Sequence, residues 1–108
     1  MKLKWAPRAK QAHLAVLIYL KEEFGSASAV KFNNEIKEVI AQIKKFPKSG
    51  APEDLLPKGM NYRSVLVGEY SKLVYRELEE EIHIDDIWDT RREPKKQALE
   101  TINTESED

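Results

Sequence analysis

Seven basic side chains in the second half of the sequence could do chemistry, because cations hold anionic groups and histidine can move a proton near neutral pH. They are Arg63, Lys72, Arg76, His83, Arg91, Arg92 and Lys95. Arg91 and Arg92 are adjacent and come at the end of an apolar run, an arrangement that favours a functional role for the pair. Any single one of the others could instead be solvated or paired with a carboxylate on a neighbouring strand.

His83 is a candidate general base, since imidazole titrates near neutrality. A single histidine on a strand is more often a surface residue or a satisfied polar residue, and His13 carries still less functional weight. The sequence has two histidines, far apart, and no cysteine. It therefore predicts no metal site and no bound cofactor.

Three consecutive antiparallel strands are predicted to position these side chains. Residues 62–67 and 70–78 are rich in β-branched and aromatic residues, and Gly68-Glu69 between them is typical of a two-residue hairpin turn. Glu79-Glu80 can form the next turn, after which residues 82–88 supply the apolar content of a third strand. The three strands form a meander, whose apolar face needs a cover.

Alternation along the middle strand decides which candidates share a face of the sheet. Lys72 and Arg76 fall on one side, whereas Leu73 and Tyr75 fall on the other side and are predicted to face the core. We therefore expect Lys72 and Arg76 on an open face, where Arg63 joins them if the register of the hairpin allows.

The third strand alternates poorly. Ile82 and Ile84 share one parity and Ile87 has the other. An extra residue in one strand of a pair reverses the parity of everything after it, so this pattern predicts a β-bulge near Asp85-Asp86.

The residues before the meander predict a short strand and a helical hairpin. Residues 1–5 can add a first strand to one edge of the sheet. Pro7 suits the first turn of a helix that ends at Gly25. A second apolar stripe on this helix predicts that it is buried on two sides, between the sheet and another helix. That stripe consists of Leu14, Leu17 and Ile18.

The second helix is predicted to begin near Ser26 or Ser28, since both are good N-caps, and to stop at Pro47. The predicted fold class is therefore α+β with the order β-α-α-β-β-β. The helical hairpin packs on one face of a small, mainly antiparallel sheet.

Charge divides the chain unevenly. Residues 1–97 hold all 18 Lys and Arg and 15 of the 19 acidic residues, a balance of +3 that permits a polyanionic partner. Residues 98–108 carry four acids and no base. We predict one domain over residues 1–97 and an acidic, flexible C-terminal tail over residues 98–108.

The sequence contains no cysteine and no apolar run long enough to span a membrane, and it lacks the pattern of a signal peptide. These observations predict a cytoplasmic protein without a membrane partner.

Four short segments, in this order, resemble the RelE/ParE family of toxins. They are WAPRAKQ at residues 5–11, FP-x-x-G at residues 46–50, YRSVLVGEYSKLVYR at residues 62–76 and IWDTRREP at residues 87–94. The likeness runs from Trp5 to about Lys96. It implies the toxin of a type II toxin–antitoxin pair, of the plasmid-stabilisation type, which arrests growth until a cognate antitoxin neutralises it.

The family divides between ribosome-dependent mRNA endonucleases and proteins that poison DNA gyrase. RNA cleavage needs a base, a cation on the phosphate and an acid for the leaving oxygen. By motif position, the resemblance implies a group of catalytic candidates, and the remaining basic residues of this region are candidates for target binding. The catalytic candidates are Arg63, Lys72, Arg91 and Arg92. The target-binding candidates are Arg76, His83 and Lys95.

Two positions depart from the nuclease pattern. Val65 replaces the second lysine of the first hairpin strand, and Gln97-Ala98 stands where the nuclease branch has a tyrosine. Three alternatives stay open: a gyrase poison, a metal-independent ribosome-dependent endoribonuclease, and a non-toxic antitoxin-binding module whose activity has decayed. The implied partners are a cognate antitoxin and either DNA gyrase or a ribosome with mRNA. A homodimer is a further alternative.

Overall fold

A five-stranded mixed sheet forms the centre of the structure, a computed structural model that describes residues 1–105 and their side chains as far as Asn103. The strands are β1 (Lys2–Trp5), β2 (Ala51–Pro52), β3 (Arg63–Val67), β4 (Ser71–Leu78) and β5 (Glu81–Asp89). Their order across the sheet is β1-β5-β4-β3-β2. β1 runs parallel to β5, and the other neighbours are antiparallel. The edge position predicted for the first strand is therefore confirmed.

Two helices, α1 (Pro7–Phe24) and α2 (Ser26–Lys45), form the predicted hairpin. Gly25 alone connects them, with φ of 94°, a conformation that glycine adopts without steric cost. The prediction of a serine N-cap is wrong, because the connection is a single residue and Gly25 itself is the N-cap of α2, without a side-chain hydrogen bond.

The hairpin covers one face of the sheet, which confirms the predicted fold class. From α2, Ile36 and Ile43 are almost completely buried against the sheet, where Leu73, Tyr75 and Ile84 are fully buried. The apolar residues that recur every 3.6 positions on α2 and every second position on the strands thus form one core.

Of the second apolar stripe of α1, only Leu17 packs against the core. Leu14 and Ile18 are both about half exposed, although the sequence predicted that α1 is buried on two sides. Only Ala9 of this helix is buried, and Val16 and Leu20 are partly buried against the core. No further layer of described residues covers the outer side of α1.

The opposite face of the sheet is covered in part, and the prediction of an open face is wrong there. A third helix, α3 (Pro94–Glu105), packs on this face over a second apolar cluster. The buried members of the cluster are Leu56, Tyr62, Val74, Trp88 and Ala98. The domain boundary expected after Gln97 falls inside α3, whose residues Ala98 and Thr101 are buried. The rest of the expected tail, residues 106–108, lies outside the described residues.

The predicted bulge is confirmed. Val74 of β4 pairs with Asp86, and the next residue, Tyr75, pairs with Ile84, so Asp85 is the extra residue. Glu79 and Glu80 form the predicted two-residue turn, with φ of 48° and 66°. The other turn differs from prediction, because Val67 pairs with Ser71 and leaves a loop of residues 68–70. Between residues 1 and 105, no helix is long and apolar enough to cross a membrane.

Candidate target-binding surface

The register of the β3–β4 hairpin places two of the catalytic candidates on opposite faces. Arg63 lies directly opposite Tyr75 and so faces the side of the helical hairpin. Lys72 lies opposite Leu66 and Trp88 and faces the side of α3. The expectation that Arg63 joins Lys72 on one face is therefore wrong. Arg63 Nη1 instead donates hydrogen bonds to the carbonyl oxygens of Gly50, at 2.7 Å, and Lys48, at 3.3 Å.

Arg76 is buried, with 7% of its surface exposed, so the exposed position predicted for it is wrong. Its Nε and Nη2 atoms donate to the two carboxylate oxygens of Asp85 at 2.9 and 3.0 Å. The guanidinium also lies 4.6 Å from the centre of the Tyr62 ring. The bulge is the reason for this burial, because it supplies Asp85 as a partner on the same face.

Lys72 is held by a carboxylate that the sequence analysis did not select. Lys72 Nζ donates to Glu53 Oε1 at 2.8 Å, and Ser64 Oγ donates to the same oxygen at 3.0 Å. Burial favours the neutral form of Glu53, but the hydrogen bonds from Lys72, Leu55 and Ser64 outweigh it and lower the pKa of Glu53. No local pattern marks Glu53, which follows a proline in a loop.

The remaining candidates do not form a cluster with Lys72. His83 is partly buried and lies opposite Arg76, and its Nε2 atom is 3.6 Å from Glu81 Oε1 without a hydrogen-bond partner. Arg92 is exposed and pairs with Glu100 at 3.4 Å. Lys95 is exposed in the first turn of α3.

Arg91 is exposed but held in place. Its Nε and Nη2 atoms each lie 3.1 Å from an oxygen of Asp89, and its guanidinium lies 4.3 Å from the centre of the Tyr70 ring. The hydrogen bond from Arg91 lowers the pKa of Asp89 against the opposing effect of burial. Thr90 N donates to Tyr70 O at 2.8 Å and so ties the end of β5 to the hairpin loop.

Two aromatic residues near the end of α1 extend this arrangement. The hydrogen bond to Asp89 raises the pKa of Arg91, and the Tyr19 hydroxyl adds a smaller effect in the same direction. Tyr19 and Phe24 pack edge to face with their ring centres 6.1 Å apart. Phe24, Tyr19, Arg91 and Tyr70 therefore form a continuous exposed set, which we call the aromatic–arginine row. Sequence reasoning selected Arg91 alone, because the two tyrosines are 51 positions apart and meet only through the fold.

A buried polar network fixes α3 beside this row. Arg8 at the start of α1 pairs with Asp86 of β5 at 2.6 Å and with Glu100 of α3. Thr101 Oγ1 donates to Asp86 Oδ2 at 2.6 Å and accepts a hydrogen bond from Trp88 Nε1 at 3.0 Å. The network joins α1, β5 and α3, and it satisfies the carboxylate of Asp86, which is 1% exposed.

Comparison with known proteins identifies the family. The family model described as the ParE toxin of the type II toxin–antitoxin system parDE matches residues 3–94. The chain belongs to the ParE toxin family. This result confirms the resemblance inferred from the four sequence segments.

The ParE fold is also found among solved structures. A structure described as the chromosomal ParDE TA system from P. aeruginosa superposes with a TM-score of 0.68 at 23% sequence identity. The match covers 82% of this chain and 95% of that chain. At this identity the likeness concerns the fold alone. A comparison with curated proteins found no match.

In this ParE family member, the geometry is more suited to binding than to acid–base chemistry. Lys72, Arg76 and Arg91 each pair with a carboxylate, and Arg63 lies on the other face of the sheet. A phosphate would have to compete with those carboxylates for the cations. Within the described residues, no group of three or more His, Cys, Asp or Glu side chains could hold a metal ion.

Proposed function

We propose that this chain is a ParE toxin that arrests growth by binding DNA gyrase through the aromatic–arginine row, and that a cognate antitoxin neutralises it. The observation that carries the proposal is the state of Arg91. It is the candidate cation that remains more than half exposed at its side chain, 53%, while its orientation is set by Asp89 and Tyr70.

The composition of the row supports a protein as the target. Arginine, tyrosine and tryptophan are the residues that most often contribute strongly to protein–protein binding. The three aromatic residues of the row are between 46% and 64% exposed, so they offer contact area without rearrangement. Because Arg91 is already ordered, binding loses little side-chain entropy.

The charge around the row also favours a protein over a nucleic acid. Asp89 neutralises Arg91, and the sequence neighbours of the row include Glu22, Glu23 and Glu69. A polyanion would meet these carboxylates before it reached the arginine. The same reasoning argues against ribosome-bound mRNA as the substrate of this surface.

The outer side of α1 supports a separate place for the antitoxin. Leu14 and Ile18 are exposed there, and Val30 at the start of α2 is 59% exposed. An amphipathic segment could bury these side chains in the helix-in-groove manner. A toxin masked in this way and directed at gyrase would act in the cytoplasm.

The decisive experiment compares the two family activities in one preparation. We expect the full chain to inhibit supercoiling by purified DNA gyrase and to produce no codon-dependent cuts in mRNA on ribosomes. Arg91→Ala and Tyr19→Ala should each weaken the inhibition about tenfold or more, which is the size expected for residues that dominate an interface. Lys10→Ala, an exposed cation on α1 away from the row, is the control.

Other outcomes would reject the proposal in distinguishable ways. mRNA cuts without gyrase inhibition would identify an endoribonuclease. Absence of both activities, with a bound antitoxin in the co-purified complex, would identify a module whose toxic activity has decayed.

A further inference from the structure

A groove at the C-terminal end of α2 lies apart from the aromatic–arginine row. It has a volume of about 490 Å³ and is lined by Lys45, Phe46, Pro47, Lys48, Ser49 and Glu77. We call it the α2-end groove. It is open to solvent on one side, so a ligand can enter without movement of the chain.

The lining of the groove is positive on balance, because Lys45 and Lys48 outnumber Glu77. Residues 39–52 contain three lysines, Lys44, Lys45 and Lys48, and no acidic residue. All three are exposed, and none forms an ion pair with any described carboxylate. Glu77, exposed on β4, is the one acid of the lining. This differs from Lys72, Arg76 and Arg91, each of which already holds a carboxylate.

Phe46 gives the groove an aromatic surface. Its ring is 52% exposed, and Lys45 Nζ lies 5.6 Å from the ring centre. In the sequence Phe46 lies between Lys45 and Lys48, and all three residues line the groove. An aromatic face next to cations is the arrangement on which proteins stack nucleic-acid bases while they neutralise the phosphates.

The floor of the groove is rigid. The Tyr75 hydroxyl donates to Pro47 O at 2.7 Å and accepts from Gly50 N at 2.9 Å. Arg63 Nη1 also donates hydrogen bonds to this loop, at the carbonyl oxygens of Lys48 and Gly50. A Cβ atom at position 50 would lie 2.7 Å from the Tyr75 hydroxyl, so the loop can approach Tyr75 this closely only with glycine. Lys48 and Phe46 are therefore presented from a loop whose position is fixed by hydrogen bonds.

We propose that the α2-end groove binds single-stranded nucleic acid, with one base stacked on Phe46 and the adjoining phosphates beside Lys45 and Lys48. A duplex does not fit, because its bases are stacked on one another and cannot cover the ring. Lys44 and Lys45 also offset the negative end of the α2 dipole, which would otherwise repel a phosphate. This activity goes beyond the proposed function and does not depend on gyrase.

The test measures binding of the full chain to a labelled oligothymidylate of about ten nucleotides, with fluorescence anisotropy over a range of salt. Single-strand binding that uses Lys45 and Lys48 predicts a slope of log K against log salt of about −1.4. Phe46→Ala should weaken binding about tenfold. The double variant Lys45→Ala/Lys48→Ala should weaken binding and bring the slope close to zero.

Two matched controls separate the groove from general effects. Leu66→Ala removes an exposed apolar side chain elsewhere, and Lys10→Ala/Lys31→Ala removes two exposed lysines of the helical hairpin. Both should bind as the unmodified chain does, and circular dichroism should show that all variants fold.

Three results would overturn the proposal: no binding by the unmodified chain, equal binding of a duplex of the same length without an effect of Phe46→Ala, or an equal loss in the lysine control. None of these measurements contains gyrase, so they do not bear on the proposed function.

Discussion

Arg76 and Asp85 form a buried bidentate ion pair across the β4–β5 ladder, at 2.9 and 3.0 Å. Asp85 is the residue that the bulge inserts, and Arg76 is the cation that alternation alone would leave in solvent. The pair therefore shows that a local irregularity of one strand decides whether a basic side chain supports the fold or contacts a partner.

Removal of one member of this pair should destabilise the protein strongly. Asp85→Leu removes the carboxylate that holds both Nε and Nη2 of a buried guanidinium, which costs about 3–5 kcal/mol. The double variant Arg76→Met/Asp85→Leu should lose much less stability, since it removes both charges together. Urea denaturation of Arg76→Met, Asp85→Leu and the double variant measures the coupling. Arg91→Ala is the control, because solvent screens an exposed ion pair and leaves it little effect on stability. A loss in the double variant equal to the sum of the two single losses would show that the pair is not coupled.

The contacts of Glu53 predict a dependence of stability on acid pH. Its pKa is lowered in the folded state, so its stabilising contribution is complete above the unfolded value of about 4.3. The contribution is lost as pH falls below that value and through the folded pKa. Urea midpoints of the unmodified chain and of Glu53→Gln, measured from neutral pH to about pH 3, should converge as pH falls. Curves that stay parallel would contradict this interpretation of the Lys72–Glu53 pair.

His13 predicts a second dependence of stability on pH, in which the titrating group is a base rather than an acid. Its ring stacks on Trp5 at 5.3 Å, and burial lowers its pKa although a hydrogen bond with Asn33 acts in the other direction. The folded state thus favours neutral His13, and stability should decrease as pH falls below the unfolded value of about 6.5. His13→Phe should remove this part of the slope between about pH 7.5 and pH 5. An unchanged slope would show that groups other than His13 cause this dependence of stability on pH.

The hydrogen bonds of Thr101 predict how much the docking of α3 contributes to the stability of the domain. Thr101→Val keeps the shape of the side chain but leaves Trp88 Nε1 and Asp86 Oδ2 each without one hydrogen bond. Loss of such bonds in a buried site costs about 1–3 kcal/mol. Leu99→Ala, on the exposed side of α3, should change stability by about 0.5 kcal/mol or less. Thermal melting compares the two variants. Equal behaviour would mean that α3 does not stabilise the domain.

The amino-acid sequence alone determined the helical hairpin, four of the five strands and the family. Pro7, Gly25 and Pro47 mark where the helices begin and end, and the parity of Ile84 and Ile87 located the bulge. These features are local, because a helix turn, a glycine conformation or an alternation depends on residues that are neighbours in the chain.

The tertiary structure alone decided which of those residues come together. The face of Arg63 depends on the register of β3 against β4, which a loop of three residues rather than two sets. The docking of α3 depends on Thr101, Asp86 and Trp88 meeting across the sheet. Tyr19 reaches Arg91 only because α1 packs against β5. Contacts between residues so far apart in the chain leave no periodic signal, since they are selected by burial and hydrogen bonding in the assembled fold.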